Sequence, residues 1–369
     1  MHIDLFTVPF IIIMGLLFSH NENKWSRLSY ILLCGCLLLL IAALRSPEWM
    51  TSEYGIDTLV YKEMFEESID MEWREFAQLF YLRYFGGGND FDVGFVALNK
   101  LIGLFTNQFW VFSLIADLMF FIPFGIILYR YTTSVRQLVF AFVFYVSLIQ
   151  VFLIGGGRQV FSIGFDLIAL LSIIDRKRFR ALFFFLIGIS FHFSSIRFFL
   201  TLLMVWYGLK PRTLKVLHVL AFIAIPVVLA FPNELIRFMG DLVGMEKYSE
   251  YGRGSVQGGG TTFLFLIEML SLFCLIVIRQ IDLLRDNSIR IFYVMAPLLT
   301  VFAPLIISNG SMIRISMYFH LFLALLVPFA IDCAFNKKQR PWIFSIAILL
   351  LAVMALAGGG MQYYFFWQK

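Results

Sequence analysis

QLVFAFVFYVSLIQVFLI (137–154), GGG (155–157) and RQVFSIGFDLIALLSII (158–174) follow one another without a polar linker. Each flanking run approaches the ~18 consecutive apolar residues of a membrane span. Between them three glycines end in Arg158, a charge placed where lipid tails offer it no partner. An arginine at membrane depth needs an anion, so the stretch points both to a membrane protein and to a site that handles an acidic or phosphorylated substrate.

The rest of the chain agrees with the first half of that reading. Apolar segments run at 3–20, 28–44, 109–129, 137–154, 158–174, 181–209, 214–231, 262–281, 291–307, 314–333 and 342–360. With 60% hydrophobic residues, 14% charged and a mean hydropathy of +0.85, the chain reads as an all-α polytopic membrane protein. The alternating pattern of a membrane barrel is absent, and only helices or closed barrels satisfy their backbone in lipid. The 44 phenylalanines suit lipid-facing and bundle-packing surfaces.

A net charge of +5 would suit a nucleic-acid binder if the basic residues shared one face. They fall instead in short clusters between apolar runs, at Lys24/Arg27, Arg130/Arg136, Arg176–Arg180, Lys210/Arg212/Lys215, Arg279/Arg285/Arg290 and Lys337/Lys338/Arg340. The positive-inside rule assigns all six to the cytoplasm. No nucleic-acid partner is expected. Cys34, Cys36, Cys274 and Cys333 lie in or beside apolar segments without metal-ligand spacing, so neither a metal nor a disulfide framework is expected. The first apolar stretch lacks a basic leader and a small-residue cleavage site and is read as a span.

Neighbouring basic clusters must be separated by an even number of crossings. Segment 181–209, basic at both ends, meets that condition only as two short helices meeting near Phe191-His192-Phe193-Ser194-Ser195. A broken hairpin is therefore predicted there, its apex carrying His192 and Arg197, for about 12 spans in all. Residues 92–105 are apolar but too short to cross and read as a re-entrant helix. Two large loops, 45–92 and 232–261, fall on the extracytoplasmic side of a single membrane domain, 1–369. The first alternates Glu63, Glu66, Glu67, Asp70, Glu72 and Glu75 with Met64, Phe65, Met71, Trp73, Phe76 and Phe80, which predicts an amphipathic helix along the membrane surface. The second carries glycines that would let it order over a ligand.

Asp117, Arg158, Asp166, His192, Arg197, Glu268 and Arg314 are the ionisable residues in apolar surroundings, and each marks a candidate functional position. Arg158 opens a helix behind glycines that let backbone amides approach a ligand. A guanidinium at a helix start makes a phosphate cradle; the other reading is an interfacial arginine reaching headgroups. His192 is either a proton acceptor for a hydroxyl, a donor to a phosphate oxygen, or a hydrogen-bonded packing residue. No nucleophile elbow surrounds the nearby serines. Arg314 opens another span from the same side, and Arg253 lies in the glycine-rich loop. Asp57 is either a helix cap or a reacting carboxylate. Asp117 and Asp166 are expected to pair with polar groups inside the bundle.

The order of Arg45, then Gly55-Ile56-Asp57-Thr58-x-x-Tyr61, then Asp92-Val93-Gly94-Phe95-x-x-Leu98-Asn99-Lys100, then Gly157-Arg158-Gln159, then Phe191-His192-x-Ser194 resembles the EpsG/Wzy-type family of bacterial exopolysaccharide and O-antigen polymerases. The resemblance covers roughly residues 40–200, with a weaker echo from Asn309 to Tyr318. Two departures stand out. Asp92 occupies a position where the pattern has glutamate, and three glycines precede Arg158 where one is usual, which widens the phosphate pocket.

The resemblance implies a GT-C-like glycosyltransferase of the bacterial inner membrane, working at the outer face without cofactor or metal. Its donor and acceptor would be undecaprenyl-diphosphate-linked oligosaccharides, with a chain-length regulator as a possible partner. Arg158, His192 and Asp57 are then the expected catalytic residues, and Arg45, Tyr61, Gln159, Arg253 and Arg314 the expected substrate contacts. Trp49, Tyr54 and Tyr251 would either stack on sugar rings or belong to the aromatic belt of the membrane interface. A lipid-linked glycan flippase is the chief alternative, although the chain shows no repeated halves. A membrane O-acyltransferase is the third reading.

Overall fold

The computed structural model describes residues 2–46, 56–86, 92–243, 260–278, 287–308, 310–357 and 363–367. Its described elements are helical, with one isolated bridge and no strand among them. The chain divides into two compact units, Met1–Phe199 with Ile348–Lys369, and Leu200–Ala347.

The first unit contains α1 (Asp4–Ser19), α2 (Lys24–Ala43), α3 (Ile56–Asp70), α4 (Trp73–Tyr84), α5 (Val93–Gly103), α6 (Phe109–Tyr131), α7 (Val135–Leu148), α8 (Gln150–Ile154), α9 (Gly157–Ile174) and α10 (Arg178–Phe191). A 3-10 turn over Phe193–Arg197 then leads into α11 (Phe198–Trp206), at whose start the unit ends. Polar caps start its helices: Asn23 accepts from the amides of Trp25 (2.8 Å) and Ser26 (3.0 Å) at α2, and Ser134 from that of Gln137 (3.3 Å) at α7. Helix α9 packs against α10 and α6, α6 against α2, and α1 against α7. An aromatic floor ties four of these helices together. Ring centroids run from Phe95 to Phe112 (5.6 Å), Phe112 to Phe161 (5.6 Å) and Phe161 to Phe191 (5.2 Å). These spacings are those of favourable aromatic contacts, so part of the abundant phenylalanine builds the bundle's interior.

The second unit carries α12 (Pro211–Ala230), α13 (Pro232–Val243), α14 (Thr261–Val277), α15 (Asn287–Tyr293), α16 (Met295–Phe302), α17 (Ile313–His320) and α18 (Leu323–Ala334), and α19 (Arg340–Ala357) leads back to the first. His218 is fully buried, 2.9 Å from both the Tyr293 hydroxyl and Ser271 Oγ. Ser271 in turn lies 2.9 Å from Thr300 Oγ1. This polar chain satisfies groups from α12, α14, α15 and α16 that would otherwise be stranded in an apolar interior.

Among the described residues, α2, α6, α9, α12 and Ile289–Ile307 are long and apolar enough to cross a membrane, and α17 with α18, bent by 54°, makes a sixth candidate. Further apolar helices are shorter, such as α1 with 16 residues and α7 with 14. The predicted segment 137–154 is not one helix. It breaks at Ile149, whose φ of −123° and ψ of −41° separate α7 from α8.

Segment 181–209 is interrupted at the position expected for its apex, near His192. His192 takes an extended conformation, φ −157° and ψ 114°, between α10 and the 3-10 turn. Residues 92–105 form the short α5, packed on α3 and α10. The amphipathic helix expected from Glu63 to Phe80 is two helices. Glu72 starts α4 with a capping box in which Glu75 Oε2 accepts from the Glu72 amide at 3.2 Å, and this local cap interrupts the helical periodicity of the sequence. Helix α3 buries Thr58, Tyr61, Phe65 and Ser68, whereas α4 buries none of its residues. Surface-helix character therefore belongs to α4. Of loop 232–261 the structure describes α13, Gly260 and Thr261, the last being the first residue of α14.

Candidate functional site

Helix α9 begins without a side-chain cap behind Gly156, and its second residue is Arg158. The first-turn amides of such a helix start make an anion-favouring end. The guanidinium lies over the Tyr61 ring, 5.6 Å from its centroid, at cation–π distance. Tyr61 is itself buried and meets Phe95 edge-on at 5.7 Å, so α3 and the aromatic floor fix the ring that supports the arginine. Gly157 makes this approach feasible: a Cβ there would come within 2.9 Å of Tyr61 Cδ2. The glycine before the arginine is thus required by a ring.

Asp92, immediately ahead of α5, completes the centre. Its Oδ2 lies 2.9 Å from Arg158 Nη1 and 3.6 Å from His192 Nδ1. The first is a charge-assisted hydrogen bond and the second an ion-pair distance that a protonated imidazole would satisfy. Side-chain exposure orders the three groups in depth. Asp92 is 8% exposed, His192 18% and Arg158 20%, so the carboxylate sits behind while the guanidinium and imidazole reach outward.

The break at His192 is held by the residues on its C-terminal side. Ser195 Oγ lies 2.8 and 2.7 Å from the two Asp166 carboxylate oxygens, both residues being buried. Gly188 lets α10 approach this pair, since a Cβ there would stand 3.1 Å from Asp166 Oδ1. Arg197 Nη1 donates to the Ser194 carbonyl at 3.4 Å, closing the 3-10 turn. Asp166 therefore pairs with a polar group inside the bundle, as expected from sequence.

Arg45 occupies a different place. Its Nη1 lies 3.6 Å from Asp117 Oδ2 and also donates to the Ala42 carbonyl, and both side chains are buried. A C-terminal strap covers this region. Arg45 bridges Phe365, the Ser46 amide donates to the Tyr364 carbonyl at 2.8 Å, and the Tyr363 hydroxyl donates to Ile41 O at 2.7 Å. Burial pushes the Tyr363 phenol well up, so it stays a neutral donor.

Of the expected site residues, the first unit brings together Arg158, His192 and Tyr61, with Gln159 buried beside Arg158 on α9. Asp57 lies in the first turn of α3, and its side chain is outside the described residues. Arg314 is the second residue of α17 in the second unit. Arg253, Trp49, Tyr54, Tyr251 and Asn309 lie outside the described residues. Sequence reasoning did not assign Asp92 to the site, although Arg158's need for an anion was the signal that leads to it. Among the described residues no group of three His, Cys, Asp or Glu side chains is gathered at ligand distance.

Chemically, the centre offers a cation hydrogen-bonded to a carboxylate and, 3.6 Å from the same carboxylate oxygen, a nitrogen base. That set can hold a phosphate and manage a proton. A family model described as "EpsG family" matches residues 30–365. No curated protein and no solved structure matches the chain.

Proposed function

We propose, from the premise that the chain belongs to the EpsG family, that it is a polysaccharide polymerase joining lipid-linked sugar repeat units by glycosyl transfer. The observation that carries this reading is the Asp92 carboxylate oxygen shared between Arg158 and His192, two residues implicated independently from sequence.

In this reading the donor's diphosphate rests on Arg158, whose guanidinium Tyr61 and Asp92 hold in place. His192, oriented by Asp92 through Nδ1, takes the proton of the acceptor hydroxyl. The hydroxyl oxygen bonds to the anomeric carbon of the donor as the bond from that carbon to the diphosphate breaks. The diphosphate leaves with its electron pair, and its charge is met by a preorganised guanidinium. The carrier is undecaprenyl diphosphate, and the reaction runs at the extracytoplasmic face of a bacterial inner membrane in a GT-C-like fold of about 12 crossings. Arg314, Arg253 and Asp57 are candidate further contacts to the lipid-linked substrates, and a chain-length regulator is a candidate partner.

The test reconstitutes the full-length protein in liposomes with a defined lipid-linked repeat unit and looks for a ladder of longer glycans. Arg158→Ala is expected to cut elongation by more than about tenfold, the scale of one lost transition-state donor. Arg158→Lys, keeping charge without the fork, should recover only part of it. Transbilayer movement of the lipid without any ladder would overturn the polymerase reading in favour of a flippase.

A further inference from the structure

At the basic end of the first unit, away from the chemistry above, two cavities flank one ridge of α6. The ridge is Leu118, Ile122, Ile126 and Arg130, four residues apart at each step and shared by both cavities. One groove, about 350 Å³, lies between α6 and α2 and is lined by Leu28, Ile31 and Gly35 among others. The other, about 450 Å³, lies between α6, α9 and α10, and its walls include Ile168, Leu171 and Phe184. From Leu118 to Arg130 the ridge rises by roughly 18 Å, close to half the ~30 Å hydrocarbon thickness of a bilayer.

The polar groups gather at one end of the second groove. Arg130, Lys177 and Arg180 stand there with a single carboxylate, Asp175, which lies 3.1 Å from Arg130 Nη1. Three cations against one carboxylate leave a net charge of +2 among these lining residues.

We infer that one diacyl anionic phospholipid straddles α6, an acyl chain in each groove and its phosphate on Arg130, Lys177 and Arg180. Paired apolar grooves of one-leaflet depth fit two chains, and the excess positive charge selects a headgroup of net negative charge over a zwitterionic one. The lipid sits in the leaflet that meets the basic loops and stabilises the packing of α2, α6, α9 and α10. It is distinct from the substrate of the proposed polymerase reaction and does not depend on that reading.

Native mass spectrometry of the detergent-purified full-length protein tests this, titrating phosphatidylglycerol, phosphatidylcholine of the same chains, and chainless glycerol phosphate. Phosphatidylglycerol is expected to bind at least about tenfold more tightly than phosphatidylcholine, and excess glycerol phosphate should not displace it. Lys177→Ala with Arg180→Ala, both exposed positions, should abolish the preference. Gly35→Leu fills the first groove from a position where a Cβ meets nothing within 4 Å, and should weaken phosphatidylglycerol binding several-fold while leaving the charge preference intact. Thermal midpoints of the lipid-free variants check that they remain folded. Equal binding of the two lipids, full displacement by glycerol phosphate, or unchanged binding in either folded variant would overturn the assignment.

Discussion

At the scale of single residues, the site depends on what stands behind Arg158. Asp92→Asn keeps the shape but removes the charge that Arg158 and His192 share, so the arginine loses its counter-ion at a position only one-fifth exposed. Elongation is expected to fall by about tenfold or more, with a stability loss of roughly 1–3 kcal/mol in thermal unfolding. Asp92→Glu, which keeps the charge on a side chain one methylene longer, should be much milder in the same two measurements. Gly157→Ala places a methyl against the Tyr61 ring. It should lower elongation several-fold, and Tyr61→Ala should cancel part of the added damage by vacating the space. A strictly additive double variant would break the proposed link between the glycine and the ring. Sequence made Arg158 and His192 legible because both violate their apolar surroundings. Asp92 stood out only as an aspartate where the family pattern has glutamate, and only the folded chain brings it to the arginine.

At the scale of elements, the irregular joints carry the information. The break at His192 followed from charge and length alone, since a segment basic at both ends cannot be one crossing. The break at Ile149 had no such signature, because 137–154 is apolar throughout and reads as one helix. The aromatic floor was equally hidden. Phe95, Phe112, Phe161 and Phe191 come from four helices, and nothing local marks them among 44 phenylalanines. Ser195 pins the His192 break by donating to Asp166, so Ser195→Ala strands a buried carboxylate. The expected cost is about 1–3 kcal/mol of stability, with elongation reduced as His192 loses its placement. Normal elongation at normal stability would separate the pair from the site. The turn between α9 and α10 offers the opposite test. Arg176 holds a φ of 61°, where a side chain is disfavoured. Arg176→Gly should leave elongation unchanged and raise stability by up to about 1 kcal/mol in thermal unfolding, the ~1–2 kcal/mol relieved from the left-handed backbone exceeding the ~0.5–1 kcal/mol entropy cost of glycine.

At the scale of the whole molecule, helical class and membrane character were legible from composition and segment lengths, because each apolar run reports directly on the solvent it meets. The division into two units was not, since no change of composition accompanies Phe199 or Ile348. Nor was the strap from Tyr363 to Phe366, whose backbone pairs with Leu44 to Ser46 at the far end of the sequence. Removing residues 363–369 is expected to lower the thermal stability of the first unit by several kcal/mol, since it uncovers the buried Arg45–Asp117 pair. Limited proteolysis should then cut first within residues 1–199, and cleavage confined to 200–347 would contradict the strap's role. The same strap sets a clock on biogenesis. The ribosome finishes the residues that close the first unit only after every residue of the second has been synthesised, so the older part of the chain must wait, incomplete, for the younger part to emerge.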